Sequence, residues 1–600
     1  MAIKEQTRAE IDEKFKWDLS VMYCCDEKWY EEYKKVKEKV SEFSKYQGHI
    51  LDSSQSLYNT LKDYVNLERV LSKLYVYACM KSDEDTSNTH YQKMKGEVQN
   101  LSVLVSSTTS FVVPELIQSD YSLIEQYIAE LPELACYKRM LKDIYRFKKY
   151  TLSKKEEKII SKLSKVLDSS SLTANLVRNS DLTFGTITDE EGREVELTNS
   201  NFTKYMESSN RDVRKQAFYT LYQGYEKVKN TLASTLASQV ETNVAIADIR
   251  GYKSALEMSL FGSNVDVNIY HNLIKVVNDN LHVLHKYYNL KKEYLKLDEL
   301  NLYDVYAPLV EEENNVYKFE KAKEIVINAL SVLGEKYIND LKRAFDEKWI
   351  DIYPNKGKRS GAYSWGCYDS YPYILLNYHE RFNDVSTLAH ELGHSMHSFY
   401  SRKHNEYQDA HYEIFVAEVA SIVNELLLYR YMIDNSNDKK QKLNILNNIL
   451  ELFRGTLFRQ TMFAEFELEI YNLVNNNEVL THDTLSKIYY DLNKKYFGDN
   501  VVVNEEIKYE WARIPHFYTS FYVYQYATGM AAACAIVNDI INKGEDAINK
   551  YLEFLKTGGR DYPVELLKIA GVDLSKPEPI KEAIKLFEKT IDEFIKLSQK

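Results

Sequence analysis

Helix breakers are scarce in this chain, which has only 9 Pro and 19 Gly in 600 residues. Proline and glycine interrupt helices, so their scarcity predicts long amphipathic segments. Cysteine is rarer still, with 6 residues at Cys24, Cys25, Cys79, Cys136, Cys367 and Cys534. That scatter excludes a disulfide framework and contains no Cys-x-x-Cys metal site. No apolar run approaches the roughly 18 residues of a membrane-spanning helix, so no membrane partner is expected. The first residues carry Lys4, Glu5, Arg8, Glu10 and Asp12 with no apolar stretch among them, so no secretory signal is expected and the cytoplasm is the expected location. Positive charge is also in deficit, 77 Lys and Arg against 89 Asp and Glu, which argues against nucleic acid as a partner.

What is present is the composition of a soluble globular protein, 44% hydrophobic and 28% charged, long enough for more than one lobe. Helical patterning runs from about Glu27 to Lys165, resumes from about Asn201 to Ala247, and continues through residues 265 to 345. One interruption stands out. Leu182 to Ile187 and Arg193 to Thr198 alternate on either side of an acidic, glycine-containing turn, which reads as a β-hairpin. It is expected to divide an N-terminal helical lobe, residues 1–199, from a second region, residues 200–600. Tyr371 to Tyr378 is an apolar, β-favouring run and reads as a strand. The segment from Pro579 to Lys600 reads as a charged amphipathic terminal helix. The fold class expected is mainly α with a small β-sheet.

Chemistry concentrates in His390-Glu391-Leu392-Gly393-His394, an HExxH pattern. With 13 His in the chain, chance supplies only about 0.02 such matches. Residues four apart share a helical face, so His390 and His394 can hold one Zn²⁺ together. Glu391 projects about 100° away and can reach a water at the metal's open position. Val385, Leu388, Ala389, Leu392, Met396 and Phe399 form the apolar stripe that anchors the helix. His390, His394 and His397 fall within an arc of about 60° on the other side. Asp384 is the expected N-cap, with Ser386 as its competitor.

A catalytic zinc usually takes three protein ligands. The pattern HExxHxxGxxH is excluded, because position 397 is His and position 400 is Tyr. The next acidic helix, from Glu413 to Glu425, places Glu418 and Glu425 on one face, opposite Val416, Val419, Ala420, Val423 and Leu427. Ala417 and Ser421 beside Glu418 are small enough for another helix to come close. Glu418 is the leading third ligand, and Glu425 or Glu413 is the acceptor expected for an imidazole N–H. Ahead of the zinc helix, Gly361, Ala362 and Tyr363 lead into a sheet edge that can bind an extended peptide through main-chain hydrogen bonds. His397 is added to these as a substrate-binding candidate.

The chain resembles the M3 family of zinc metallopeptidases. The likeness is carried by Arg359 to Ser364, Pro372 to Asn377, Leu388 to His397, Phe415 to Ser421, Ile514 to Tyr518 and Phe521 to Gly529, with Arg250 to Ala255 and Asp304 to Leu309 upstream. It runs in order over roughly residues 180 to 590. The resemblance implies two largely helical lobes enclosing a substrate channel, and a zinc-dependent oligoendopeptidase that cuts internal bonds of short peptides. It makes His390, His394 and Glu418 the ligands of one zinc per chain, with Glu391 as general base. It also implies that His516 with Tyr522 or Tyr526 stabilises the tetrahedral intermediate, as a protonated phenol can. Tyr522 and Tyr526 are expected four apart on one helical face. The pattern departs from the family where Thr519-Ser520 replaces a glycine pair, and Phe521 stands where a first tyrosine would fall. A monomer is the expected state. The alternatives are a related zinc carboxypeptidase or dipeptidase, and a non-enzymatic helical peptide-binding protein.

Overall fold

A computed structural model describes residues 6–310 and 315–599, and they are mostly helix. The longest helix, Ser54–Glu84, contains no proline or glycine and is capped by Ser53, whose hydroxyl accepts the Ser56 N–H. The chain forms two compact units, each drawn from separated stretches. The first comprises Met1–Lys149, Asn314–Tyr431 and Asp539–Gly571; the second comprises Tyr150–Glu313, Met432–Asn538 and Val572–Lys600.

The first unit holds a three-stranded sheet. Its central strand Tyr373–Leu375 pairs in parallel with Ile350–Asp351 and antiparallel with Tyr363–Trp365, with Ile374 opposite both Ile350 and Ser364. Tyr373, Ile374 and Leu375 are fully buried, which is why this strand reads as a continuous apolar run rather than an alternating one. The regular strand is shorter than Tyr371 to Tyr378. Its pairing nonetheless continues, with the N–H of Leu376 donating to Asp351 and that of Tyr378 to Ile352. The N-terminal segment pins the far side of the sheet: Arg8 makes a two-pronged contact to Asp351, itself buried against Lys358. Tyr363–Trp365 lies at the sheet's edge and is half-buried.

The second unit contains the expected hairpin, Thr186–Thr188 against Glu194–Glu196, with Asp189 accepting the N–H groups of Glu191 and Arg193 in its turn. Helices Lys229–Arg250, Val267–Asp279, Arg459–Asn475 and His482–Phe497 supply much of its core. The terminal helix Glu578–Gln599 buries Ile580, Ile584, Phe587, Ile591 and Phe594, so one face is core and only the other is solvated.

Candidate metal centre

The HExxH helix spans Phe382–His404 and begins earlier than its N-cap signal suggests. Asp384 sits in its first turn, where one carboxylate oxygen accepts the backbone N–H groups of His379 and Arg381. Val385, Leu388, Ala389, Leu392 and Met396 are buried to completion. Helix Ile414–Asn435 packs against the same segment through a very close approach. A Cβ on Gly393 would lie 2.5 Å from the Ala420 carbonyl oxygen and 2.6 Å from the Ser421 Cα, so only glycine fits. Asn424, fully buried, donates to the Ala389 carbonyl at 3.0 Å and ties the two helices together. Neither contact was legible from the motif itself, although a glycine inside a helix is the usual sign of a close approach.

This approach brings three donors together. His390 Nε2 and His394 Nε2 are 3.2 Å apart, and a Glu418 carboxylate oxygen lies 3.5 Å from the first and 3.7 Å from the second. A four-coordinate ion with ligand distances of about 2.0–2.1 Å sets neighbouring donors about 3.3–3.4 Å apart. The triangle therefore fits such an ion with little movement, and all three donor atoms lie within 4.8 Å of one another. Two imidazoles and a carboxylate suit a borderline-soft divalent metal.

The surrounding groups fix the rings. His390 Nδ1 meets a Glu425 oxygen at 3.0 Å, and Ser386 donates to the other Glu425 oxygen at 3.1 Å. Burial alone would lower the His390 pKa, but the hydrogen bond and charge of Glu425 outweigh it and hold the metal-free ring up at about 9. Burial, helped by the neighbouring His390 charge, brings His394 down to about 4. A backbone hydrogen bond to Ala417 orients that ring. Glu391 is buried, and desolvation pushes its carboxyl up to about 7, into the range in which a group can both take and give a proton at neutral pH. A hydrogen bond from the Ser364 backbone pulls the other way, which places the edge strand against the Glu391 carboxyl. Ser364 and Ser395 hydroxyls lie 2.8 Å apart and hold strand to helix.

The remaining candidates divide between the two units. In the first, Tyr363 donates its hydroxyl to Asp83 at 2.9 Å, and Asn377 donates to the Gly361 carbonyl at 2.8 Å. Gly361 has φ +84 with open space where a Cβ would be, and Ala362 is half-buried beside it. Asp83 reaches this segment from helix Ser54–Glu84, and no local pattern announces a partner nearly three hundred residues away. His397 differs from expectation. It shares a side of the helix with His390 and His394, yet it is wholly buried, stacked 3.7 Å from the Tyr412 ring and 5.2 Å from Phe554. Burial lowers its pKa to about 3 and keeps it neutral.

In the second unit, His516, Tyr522 and Tyr526 form a cluster with ring centroids 5.5 to 6.1 Å apart. His516 is exposed, and the two tyrosines are half-buried. Partial burial lowers the His516 pKa and favours the neutral ring. The tyrosines do not share a helical face. Helix Tyr524–Lys543 starts after Tyr522, and a turn leads into it, with the N–H of Gln525 donating to the Tyr522 carbonyl and that of Tyr526 to Val523; Phe521, just before, has φ +54.

A mainly helical chain with a His–His–Glu donor triangle, a buried glutamate between the histidines and a sheet edge beside it has the makings of a metallopeptidase. The chain belongs to peptidase family M3. It matches that family over residues 204–586 and the Oligopeptidase F model over residues 115–184. Oligopeptidase PepF of Bacillus subtilis (strain 168) is 45% identical over 593 residues, covering 99% of this chain and 88% of the relative. Group B oligopeptidase PepB of Streptococcus agalactiae is 39% identical, covering 99% and 98%. Among solved structures, oligoendopeptidase-F from Enterococcus faecium superposes with TM-score 0.76 at 34% identity, covering 96% of this chain and 99% of its own. A Chlamydophila abortus chain superposes with TM-score 0.91 at 38% identity, covering 99% and 100%. The protein is thus a metalloendopeptidase.

Proposed function

We propose that the protein is a zinc oligoendopeptidase that hydrolyses internal bonds of short peptides in the cytoplasm as a monomer, without nucleic-acid or membrane partners. The observation that carries this reading is the donor triangle of His390, His394 and Glu418 with Glu391 buried beside it. One Zn²⁺ per chain held there supplies Lewis acidity, which makes water a better nucleophile and a carbonyl a better electrophile at neutral pH. Glu425 fixes the tautomer of His390, so that Nε2 faces the metal position. Glu391 takes the proton from the attacking water and delivers it to the leaving amine nitrogen.

The edge strand Tyr363–Trp365 offers main-chain groups to an extended substrate, with Gly361, Ala362 and Tyr363 at its entrance. Recognition through the main chain tolerates varied side chains, as a peptide-degrading enzyme requires. His516, Tyr522 and Tyr526 donate hydrogen bonds to the oxyanion; the family resemblance and the clustering of these three groups support that role. The match of the family model to residues 204–586 supports a catalytic region at 200–600 preceded by a helical lobe at 1–199.

The test is Glu391→Gln assayed on peptides blocked at both ends. It is expected to keep near-stoichiometric zinc and lose about 10²–10⁴-fold in kcat. Activity within a few-fold of the unsubstituted enzyme would overturn the mechanism. Cleavage confined to peptides with a free terminus would instead make the enzyme an exopeptidase.

A further inference from the structure

The turn at Phe521 is held in a way that the chemistry above does not use. Phe521 is the residue with a left-handed backbone immediately before Tyr522, and it is phenylalanine rather than glycine. An L side chain adopts that conformation only when its surroundings impose it. Those surroundings grip a single peptide group from both ends. The N–H of Phe521 donates to a Glu467 carboxyl oxygen at 2.9 Å, and the carbonyl of Ser520, in the same peptide unit, accepts the Ser259 hydroxyl at 2.8 Å. Asn243 adds a bond to the Ser520 hydroxyl at 3.2 Å. The Phe521 ring is wedged between Tyr471, at 4.5 Å, and Tyr270, at 5.5 Å. Four helices thus converge on one turn: Lys229–Arg250, Ala255–Phe261, Val267–Asp279 and Arg459–Asn475.

Glu467 is the costly member of this set. It is fully buried, and its second oxygen has no hydrogen-bond partner among the described residues. Desolvation, only partly opposed by the Phe521 N–H, pushes its carboxyl up to about 8, so it is mainly a neutral acid at pH 7. Among the described residues the turn is its one hydrogen-bonded partner, which points to the turn as what this buried carboxyl holds.

We propose that Glu467 is a positioning residue, which fixes the Ser520–Phe521 peptide and thereby holds the Tyr522 ring beside His516. The inference rests on the oxyanion role given above to Tyr522. A donor displaced by about 1 Å can cost up to about 100-fold in rate. Glu467→Ala is therefore expected to lower kcat about 10- to 100-fold, with KM changed less than about twofold and zinc content unchanged. Glu467→Gln keeps an acceptor for the Phe521 N–H in a side chain of the same shape and charge as the neutral acid, so it is expected to restore kcat to within about threefold.

The double variant Glu467→Ala/Tyr522→Phe is expected to be no slower than the slower of its two parents, because both remove the same donor. Should Glu467→Ala fail to fold, Ser259→Ala loosens the same peptide from its carbonyl end and is expected to lower kcat several-fold. A Tyr522→Phe enzyme with full kcat would overturn the oxyanion role itself. A slow Tyr522→Phe enzyme alongside unchanged kcat in Glu467→Ala, or in Ser259→Ala where that variant stands in, would overturn the positioning role alone. Additive losses in the double variant would do the same.

Discussion

At the scale of single residues, the metal centre depends as much on an absent side chain as on those that are present. Gly393 lets the backbones of two helices approach until a Cβ would collide with the Ala420 carbonyl and the Ser421 Cα. The obstacle is backbone rather than a flexible side-chain tip, so a methyl group there must push the helices apart. Gly393→Ala is expected to destabilise the fold by about 1–3 kcal/mol and to weaken metal binding as well, because Glu418 retreats from His390 and His394. Thermal unfolding and metal content measured on one preparation check both halves. A stable variant with full metal content would show that the approach is not needed. His397 shows how local rules mislead at this scale. Helical geometry puts it on the histidine side, but Tyr412 and Phe554 cover it and leave it neutral and enclosed.

At the scale of elements, two helices and one strand share the work. Helix Phe382–His404 brings the imidazoles and Glu391, helix Ile414–Asn435 brings two carboxylates two turns apart, and the edge strand lies against Glu391. The two carboxylates are not equivalent. Glu418 lies within reach of both Nε2 atoms, whereas Glu425 sits behind His390 at Nδ1. Glu418→Ala is accordingly expected to lose stoichiometric zinc, while Glu425→Ala is expected to bind zinc about 10- to 100-fold more weakly yet still reach full occupancy at high metal concentration. Competition with a chelator distinguishes them, and the reverse order would make Glu425 the ligand. Spacing places both glutamates on one face, with Glu418 the leading ligand and the imidazole acceptor left between Glu425 and Glu413. Packing divides them, since Ser386 holds Glu425 and the helix crossing turns Glu418 inward.

At the scale of the molecule, the second unit carries buried ionisable groups with opposite effects on stability. Burial raises Glu467 to about 8 from an ordinary 4.5, so its folded form holds a proton that the unfolded chain has already released at neutral pH. The stability associated with it is complete below about pH 4.5 and declines as pH rises through about 8. By pH 7 the loss has reached about 3 kcal/mol. Glu451 behaves in the opposite sense. Burial would raise it, but Arg454 and Lys291 hold it down at about 2, so its contribution is present above about pH 4.5 and lost as pH falls through about 2. Glu467→Gln is expected to raise the urea midpoint at pH 8 and to leave it nearly unchanged at pH 4.5. Equal gains at both pH values would show that the carboxyl is not neutral in the folded protein.

The sequence by itself determined the helical class, the hairpin, the HExxH helix with its apolar backing, the pairing of that helix with Glu418, and the family. All of these rest on periodicity, on residue spacing within one element, or on ordered motifs, which are local or linear properties of a chain. Tertiary structure decided the rest. It assigned Glu425 to His390 and buried His397. It brought Asp83 to Tyr363 across nearly three hundred residues. It placed Tyr522 in a turn ahead of the helix that carries Tyr526, rather than on one helix face with it. It also drew each compact unit from three separated stretches. The physical reason is common to these cases: burial, desolvation and contact between elements depend on which surfaces meet, and no periodicity within one segment encodes its partner.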